Sequence, residues 1–208
     1  MPRVSREQAD KNRLAVEAAA SRLFREHGID GVTVADLMAA AGLTHGGFYG
    51  HFDSKDALAV VACERAFDES VRRWDGLTAR QPGSSARAAM HENYLNAAHR
   101  DHPGKGCPAA ALAADVARQD EDSPVRQAYV AGVKQLVATL AGMQDETGAP
   151  ARRAAMAQLA TMVGALTLAR ATQGDALSGQ FLSAAREFLA RADGAQPPAA
   201  AGKRTAPR

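Results

Sequence analysis

Apolar residues recur at helical spacing along most of the chain, and no stretch alternates as a half-buried strand would. From about residue 7 to 27, Val16, Ala19, Ala20, Leu23 and Phe24 form an i, i+3, i+4, i+7, i+8 stripe, and Gly28 suits the C′ position. Thr33 and Asp36 have capping-box spacing, followed by Val34, Leu37, Met38 and Ala41 on one face. Gly42 stands where the chain must turn, and Leu43 fits the gap behind it. Thr44 is expected to cap a very short helix that buries Phe48 and Phe52. That leaves Thr44, His45, Gly46, Gly47, Tyr49 and His51 facing outward. Asp53 or Ser54 then caps a long helix over about 55–80, with Ala57, Leu58, Val61, Ala62, Ala66, Phe67, Trp74 and Leu77 inward.

The sequence QPGSS at 81–85 breaks that helix, and the next runs to about 99 with Met90, Tyr94 and Leu95 as core. HPGKGCP at 102–108 is a second break. A short helix to about 119 carries Ala110, Leu112 and Val116. Pro124 is a good first helical residue for a helix to about 143 that bears Tyr129, Val133, Leu136, Val137 and Leu140. Two last helices are expected over about 150–173 and 176–192. They are apolar on more than one face, through Met156, Leu159, Met162, Val163, Leu166, Phe181, Leu182, Phe188 and many alanines. Such a helix needs a partner on both sides. One side is the protomer's own core and the other a second subunit, so Leu159, Met162, Val163, Leu166, Phe181, Leu182 and Phe188 are the expected four-helix dimer interface.

The expectation is an all-α protein of about nine helices. Residues 1–54 would form a three-helix, helix-turn-helix unit, with a basic arm at 1–6 carrying Arg3 and Arg6. Residues 55–192 would form a helical domain for ligand binding and dimerisation. The Pro/Ala/basic stretch 193–208 reads as a disordered tail.

Composition narrows the class. The 208 residues are 46% hydrophobic and 23% charged, which excludes a disordered or membrane-embedded chain. No uninterrupted apolar run reaches the ~18–20 residues of a spanning helix. The polar start lacks the apolar segment of a signal peptide, so the expected location is cytoplasmic. Two cysteines, Cys63 and Cys107, are too few for a disulfide framework. Net charge is only +2, and over residues 1–55 seven basic residues balance seven acidic ones. A phosphate-binding surface there must come from the placement of charges.

The run GLTHGGFYGHFDSKDAL at 42–58 resembles the DNA-binding signature of the TetR family of transcriptional regulators. Tyr49, the His51–Phe52 pair and Lys55 occupy the family's habitual positions, and the resemblance is strong over about 10–60. Met38 departs from it, standing where such motifs usually carry alanine. The resemblance implies a repressor bound to double-stranded DNA as a homodimer, hence to a palindromic operator, and released when a small-molecule effector fills a pocket in the middle helices. Expected DNA contacts are Thr33, Thr44, His45, Gly46, Gly47, Tyr49, His51 and Lys55. Helix N-termini and the tyrosine hydroxyl suit phosphates, while Thr44, His45 and Gly46 suit base edges.

Trp74, Tyr94, Tyr129, Met90 and Met143 are candidate pocket residues, and all five serve equally well as core. Cys107 lies between a Gly-Lys-Gly run and Pro108, at an expected helix N-terminus with Lys105 near, an environment that lowers a thiol's pKa. Some members of that family with a similar Gly-Cys placement sense electrophiles, which implies an electrophile or oxidant signal as one option. A metal-responsive regulator using His91, His99, His102 and Cys107 is the alternative, although the spacings give no compact ligand set. No GxSxG, Walker or GxGxxG sequence occurs, so neither enzymatic activity nor a cofactor is expected.

Overall fold

The computed structural model describes residues 5–79 and 83–194. Among the described residues the regular structure is nine α-helices and two 3-10 helices. Residues 1–4 of the expected arm, the start of the break at 81–85 and the tail from 195 lie outside the described residues, and Arg6 already belongs to the first helix.

Helix α1 (Arg6–His27) starts on Ser5, whose side chain accepts from the Gln8 N–H, and stops at Gly28 with φ 78°. Its stripe packs as the spacing requires: Val16, Ala19, Ala20 and Phe24 are buried. Helix α2 (Val34–Ala40) carries the complete capping box, in which Thr33 Oγ1 accepts from the Asp36 N–H and Asp36 accepts from the Thr33 N–H. A box of this kind contributes about 1 kcal/mol. Gly42, at φ 71°, makes the turn. The element that follows is a 3-10 helix, His45–Gly50, with Phe48 and, just beyond it, Phe52 both drawn into the core.

Ser54 caps α3 (Lys55–Thr78), which packs chiefly on α1 and on α7 (Pro124–Gly142). The single helix expected up to about residue 99 is two: α4 (Ser84–Tyr94) and α5 (Ala97–Asp101). Asn96 breaks it from both sides. Its amide donates to the Glu92 and Asn93 carbonyls that end α4, and its carbonyl oxygen accepts from the His99 N–H that begins α5. A short 3-10 helix (Pro103–Lys105) then leads through Cys107, the N-cap residue, into α6 (Pro108–Ala117).

Helices α8 (Gly148–Ala171) and α9 (Ala176–Ala192) pack on each other, with α7 behind α8. By length and composition α8 is apolar enough to cross a membrane, which the absence of an uninterrupted apolar run had not suggested; its alanines raise the mean hydropathy to 1.2 between its arginines. The expected interface residues divide here. Leu159, Met162, Leu166 and Leu182 are buried inside the protomer, so they are core; on α8 apolar residues stand on the outer side as well (Met156, Ala157, Ala160, Leu168), so the pattern does not tell inner from outer. Val163 and Phe181 are half-buried, and Phe188 is 62% exposed. The outer side of α9 runs Leu177, Phe181, Ala184, Phe188 at i, i+4, i+7, i+11, and α8 leaves Ala157, Ala160, Gly164 and Leu168 exposed or half-buried.

Candidate nucleic-acid interface

Phe48 and Phe52 fasten the short 3-10 helix to the core, with ring centroids 5.8 Å apart and exposures of 0% and 4%. Everything else on that turn faces out. Thr44, His45, Gly46, Gly47 and Tyr49 are exposed and contiguous, and Tyr49 lies edge-on against Phe48 at 5.2 Å with 69% of its surface free. A Cβ built at Gly46 or Gly50 would meet nothing within 4 Å, so no internal contact demands glycine at either position. At Gly47 it would touch the Cε of buried Met38 at 3.4 Å. The bulk of Met38 therefore fills the space behind the turn without displacing it.

Thr44 occupies the N-cap position but its side chain makes no capping hydrogen bond, so its hydroxyl is free for an outside partner. The reverse holds for Thr33. Its hydroxyl donates to Asp36 Oδ2 at 2.6 Å and accepts from the Asp36 N–H, and the Asp36 carboxyl is held below its ordinary pKa by those bonds. The Thr33 hydroxyl is thus engaged within the capping box, while the residue itself stays exposed. His51 and Lys55 are half-buried at the edge of the same face. Arg13 of α1 was not singled out from the sequence, yet it braces this edge: it donates to the His51 carbonyl at 2.6 Å, pairs with Glu17, and stacks its guanidinium 4.5 Å over Phe52.

The middle helices enclose a cavity of about 490 Å³, within the usual range for small-molecule sites. Trp74, Met90, Tyr94 and Cys107 line it. Tyr129 does not: it packs edge-on to Phe67 and donates its hydroxyl to the Ala109 carbonyl. Met143 is also core elsewhere. Arg73, Asn93, Asn96, His99, His102 and Lys105 also line it; no sequence pattern marks Arg73, Asn93 or Asn96, and His99, His102 and Lys105 were singled out for other roles.

Cys107 sits at the helix start as expected, but its thiol is only 2% exposed. Burial pushes its pKa up, against opposing hydrogen bonds from Tyr94 and from the Ala110 and Ala109 N–H groups. The helix terminus does favour the thiolate; desolvation outweighs it. The buried Tyr94 hydroxyl lies beside this thiol and has no well-formed hydrogen bond of its own. His99 accepts from the Cys107 N–H through Nε2 at 2.9 Å, while its Nδ1 lies 2.7 Å from the Tyr94 carbonyl. These contacts fit a neutral ring carrying its proton on Nδ1, and burial lowers its pKa to about 4. His91 points away, toward Gln158 and Asp193, and no metal-holding cluster of His, Cys, Asp or Glu occurs among the described residues.

Residues 18–62 match the family described as "Bacterial regulatory proteins, tetR family". The chain is similar to the HTH-type transcriptional repressor DhaR of Mycobacterium sp. (strain GP1), 30% identical over 87 residues, which is 42% of this chain and 43% of that protein. The match thus spans under half the length of that curated relative. Its fold is similar to that of a TetR transcriptional regulator from Chloroflexus aurantiacus J-10-FL, with TM-score 0.73 and 27% identity over 89% of this chain and 95% of that one. It is also similar to E. coli NemR in its reduced form, with TM-score 0.72 and 22% identity over 86% and 95% of the two chains.

Proposed function

The chain belongs to the TetR family of transcriptional regulators, and from that premise we propose that it is a repressor which reads a palindromic operator through residues 44–49 and leaves it when a small molecule fills the cavity behind Trp74. The observation that carries this reading is the division of labour on one turn. Phe48 and Phe52 are buried while Thr44, His45, Gly46, Gly47 and Tyr49 are all presented outward. A recognition element needs that arrangement, and a mere connecting loop does not. In this reading Thr44, His45 and Gly46 meet base edges, and Tyr49, His51 and Lys55 meet phosphates.

Two copies are required to read a palindrome. The outer stripe of α9 with Leu168 and Gly164 of α8 is the surface proposed to join them, and such a regulator acts in the cytoplasm, where the chromosome lies. Release by an electrophile is a second route, favoured by one fact: Cys107 lines the same cavity. Its burial makes it a target only for reagents that first enter that cavity.

Selection of bound sequences from random DNA, followed by mobility-shift titration, tests the proposal. A palindromic consensus with half-sites about one helical turn apart (~10 bp, or more for two dimers) is expected. Lys55→Ala should weaken binding to all sequences alike and lower the salt slope by about one unit, whereas His45→Ala should change the consensus. A protein that enriches no sequence is not such a regulator.

A further inference from the structure

The cavity behind Trp74 has two unlike ends. Trp74, Met90 and Tyr94, all buried, with half-buried Leu77, make one wall an aromatic and aliphatic surface. At the rim stand Arg73, His102 and Lys105, all exposed, with the amides of Asn93 and Asn96. Among the described residues no carboxylate lines this cavity. Neither Arg73 nor Lys105 is held in an ion pair among the described residues, although most arginines of the fold are: Arg13, Arg22, Arg25, Arg65, Arg87, Arg100, Arg118, Arg186 and Arg191 each face an acid. The contrast with a second cavity of about 400 Å³ is direct, since that one is lined by Arg186 together with Glu92 and Asp193, one cation facing two carboxylates.

Positive field also comes from behind the wall. Arg170 holds the His99 and Arg100 carbonyls, and both Arg170 and Arg73 oppose protonation of His99. With His99 kept neutral, the cations that remain belong to the rim.

Resting on the reading of this domain as the effector domain, we propose that the cavity takes an amphipathic monoanion, a carboxylate on a short aromatic or aliphatic body. The apolar body lies on Trp74, Met90 and Tyr94, and the carboxylate is held at the rim that carries Arg73 and Lys105. A neutral molecule of the same shape forfeits the charge-assisted bonds, and a cation meets like charge.

Trp74 is the chain's one tryptophan, so its emission reports on this wall alone and needs no DNA. The test is a titration of the full-length protein with 4-phenylbutyrate, 4-phenylbutan-1-ol and 4-phenylbutylamine, reading Trp74 fluorescence. The acid should bind about tenfold more tightly than the alcohol, and the amine more weakly than either. Arg73→Gln with Lys105→Gln should remove the preference for the acid while leaving the alcohol's affinity unchanged; both residues are exposed, so the double variant should fold. Equal affinity for acid and alcohol, a preference for the amine, or no change in Trp74 emission with any of the three would overturn the proposal. Operator release is a separate readout: failure to bind DNA would remove the regulator reading and leave the fluorescence result standing.

Discussion

Arg25 and Gly106, 81 residues apart in the chain, are joined by a hydrogen bond of 2.9 Å from a buried guanidinium to a backbone carbonyl. The same guanidinium holds Ser21 and Glu69, so it ties α1, α3 and the loop before α6 at one point. That loop also carries Lys105 and Cys107 of the cavity. Gly104 lets it press on α1, where a Cβ would fall within 2.8 Å of Arg22 and closer still to Glu26. Arg25→Gln leaves Glu69 and the Gly106 carbonyl short of a donor, and should cost about 2–4 kcal/mol in urea unfolding. An unchanged unfolding midpoint would show that the joint carries no stability.

Gly46 makes no internal contact that a methyl group would disturb. Gly46→Ala should therefore leave the fold as stable or raise it by up to about 1 kcal/mol. If the backbone there lies against the groove, the same variant should lose operator affinity at least about tenfold. Thermal melts and mobility shifts on one preparation read both numbers, and the prediction fails if affinity is retained.

Phe188 and Leu166 were equivalent interface candidates by sequence, yet one is 62% exposed and the other fully buried. Phe188→Glu should sediment as a folded monomer. Leu166→Glu should fail to fold, since it places a charge in the protomer core. A dimeric Phe188→Glu would remove the outer face of α9 from the interface.

Stability should fall in mild acid. His99 has a folded pKa of about 4 against an ordinary 6.5, so between those values the unfolded chain binds the extra proton. The contribution is complete above about pH 6.5 and declines toward pH 4, by about 3 kcal/mol at most. Burial shifts buried His91 in the same direction. The carboxyls of Asp36, Asp101 and Asp145, lowered by their hydrogen bonds, act only below their ordinary 3.8. Urea midpoints from pH 7 to 4.5 should fall less steeply for His99→Gln than for the unaltered chain; parallel slopes would contradict the assignment.

Cys107, raised in pKa by burial, should react with iodoacetamide at pH 7 far more slowly in the native protein than in urea. Cys63, pushed up to about 12, should do the same. Fast native labelling of Cys107 alone would restore the activated-thiol reading.

The helix-turn-helix was legible because its signals are local. The Thr33–Asp36 box, the turn at Gly42 and the spacing of Phe48 and Phe52 each act within a few residues, and each stands where the pattern put it. The division of α4 from α5 was hidden because Asn96 does by side-chain bonding on both sides what glycine or proline does visibly. The rim of the cavity was hidden for another reason. Arg73 lies on α3, whereas Asn93, His102 and Lys105 reach it from α4 and the turns after it, and only packing brings them together. At Cys107 the local rule was applied correctly and lost to burial, which no local pattern displays.

The anchoring of the recognition turn by Phe48 and Phe52 has an evolutionary consequence. Residues 44–47 and 49 add little to the buried core, so substitutions among them leave the fold intact. The cavity lies in other helices and is equally independent of the turn's side chains. With the turn reading an operator and the cavity taking the signal, as proposed above, a descendant can after gene duplication acquire a new operator while answering the same chemical signal, or keep the operator and change the signal. Two phenylalanines make address and message separately heritable.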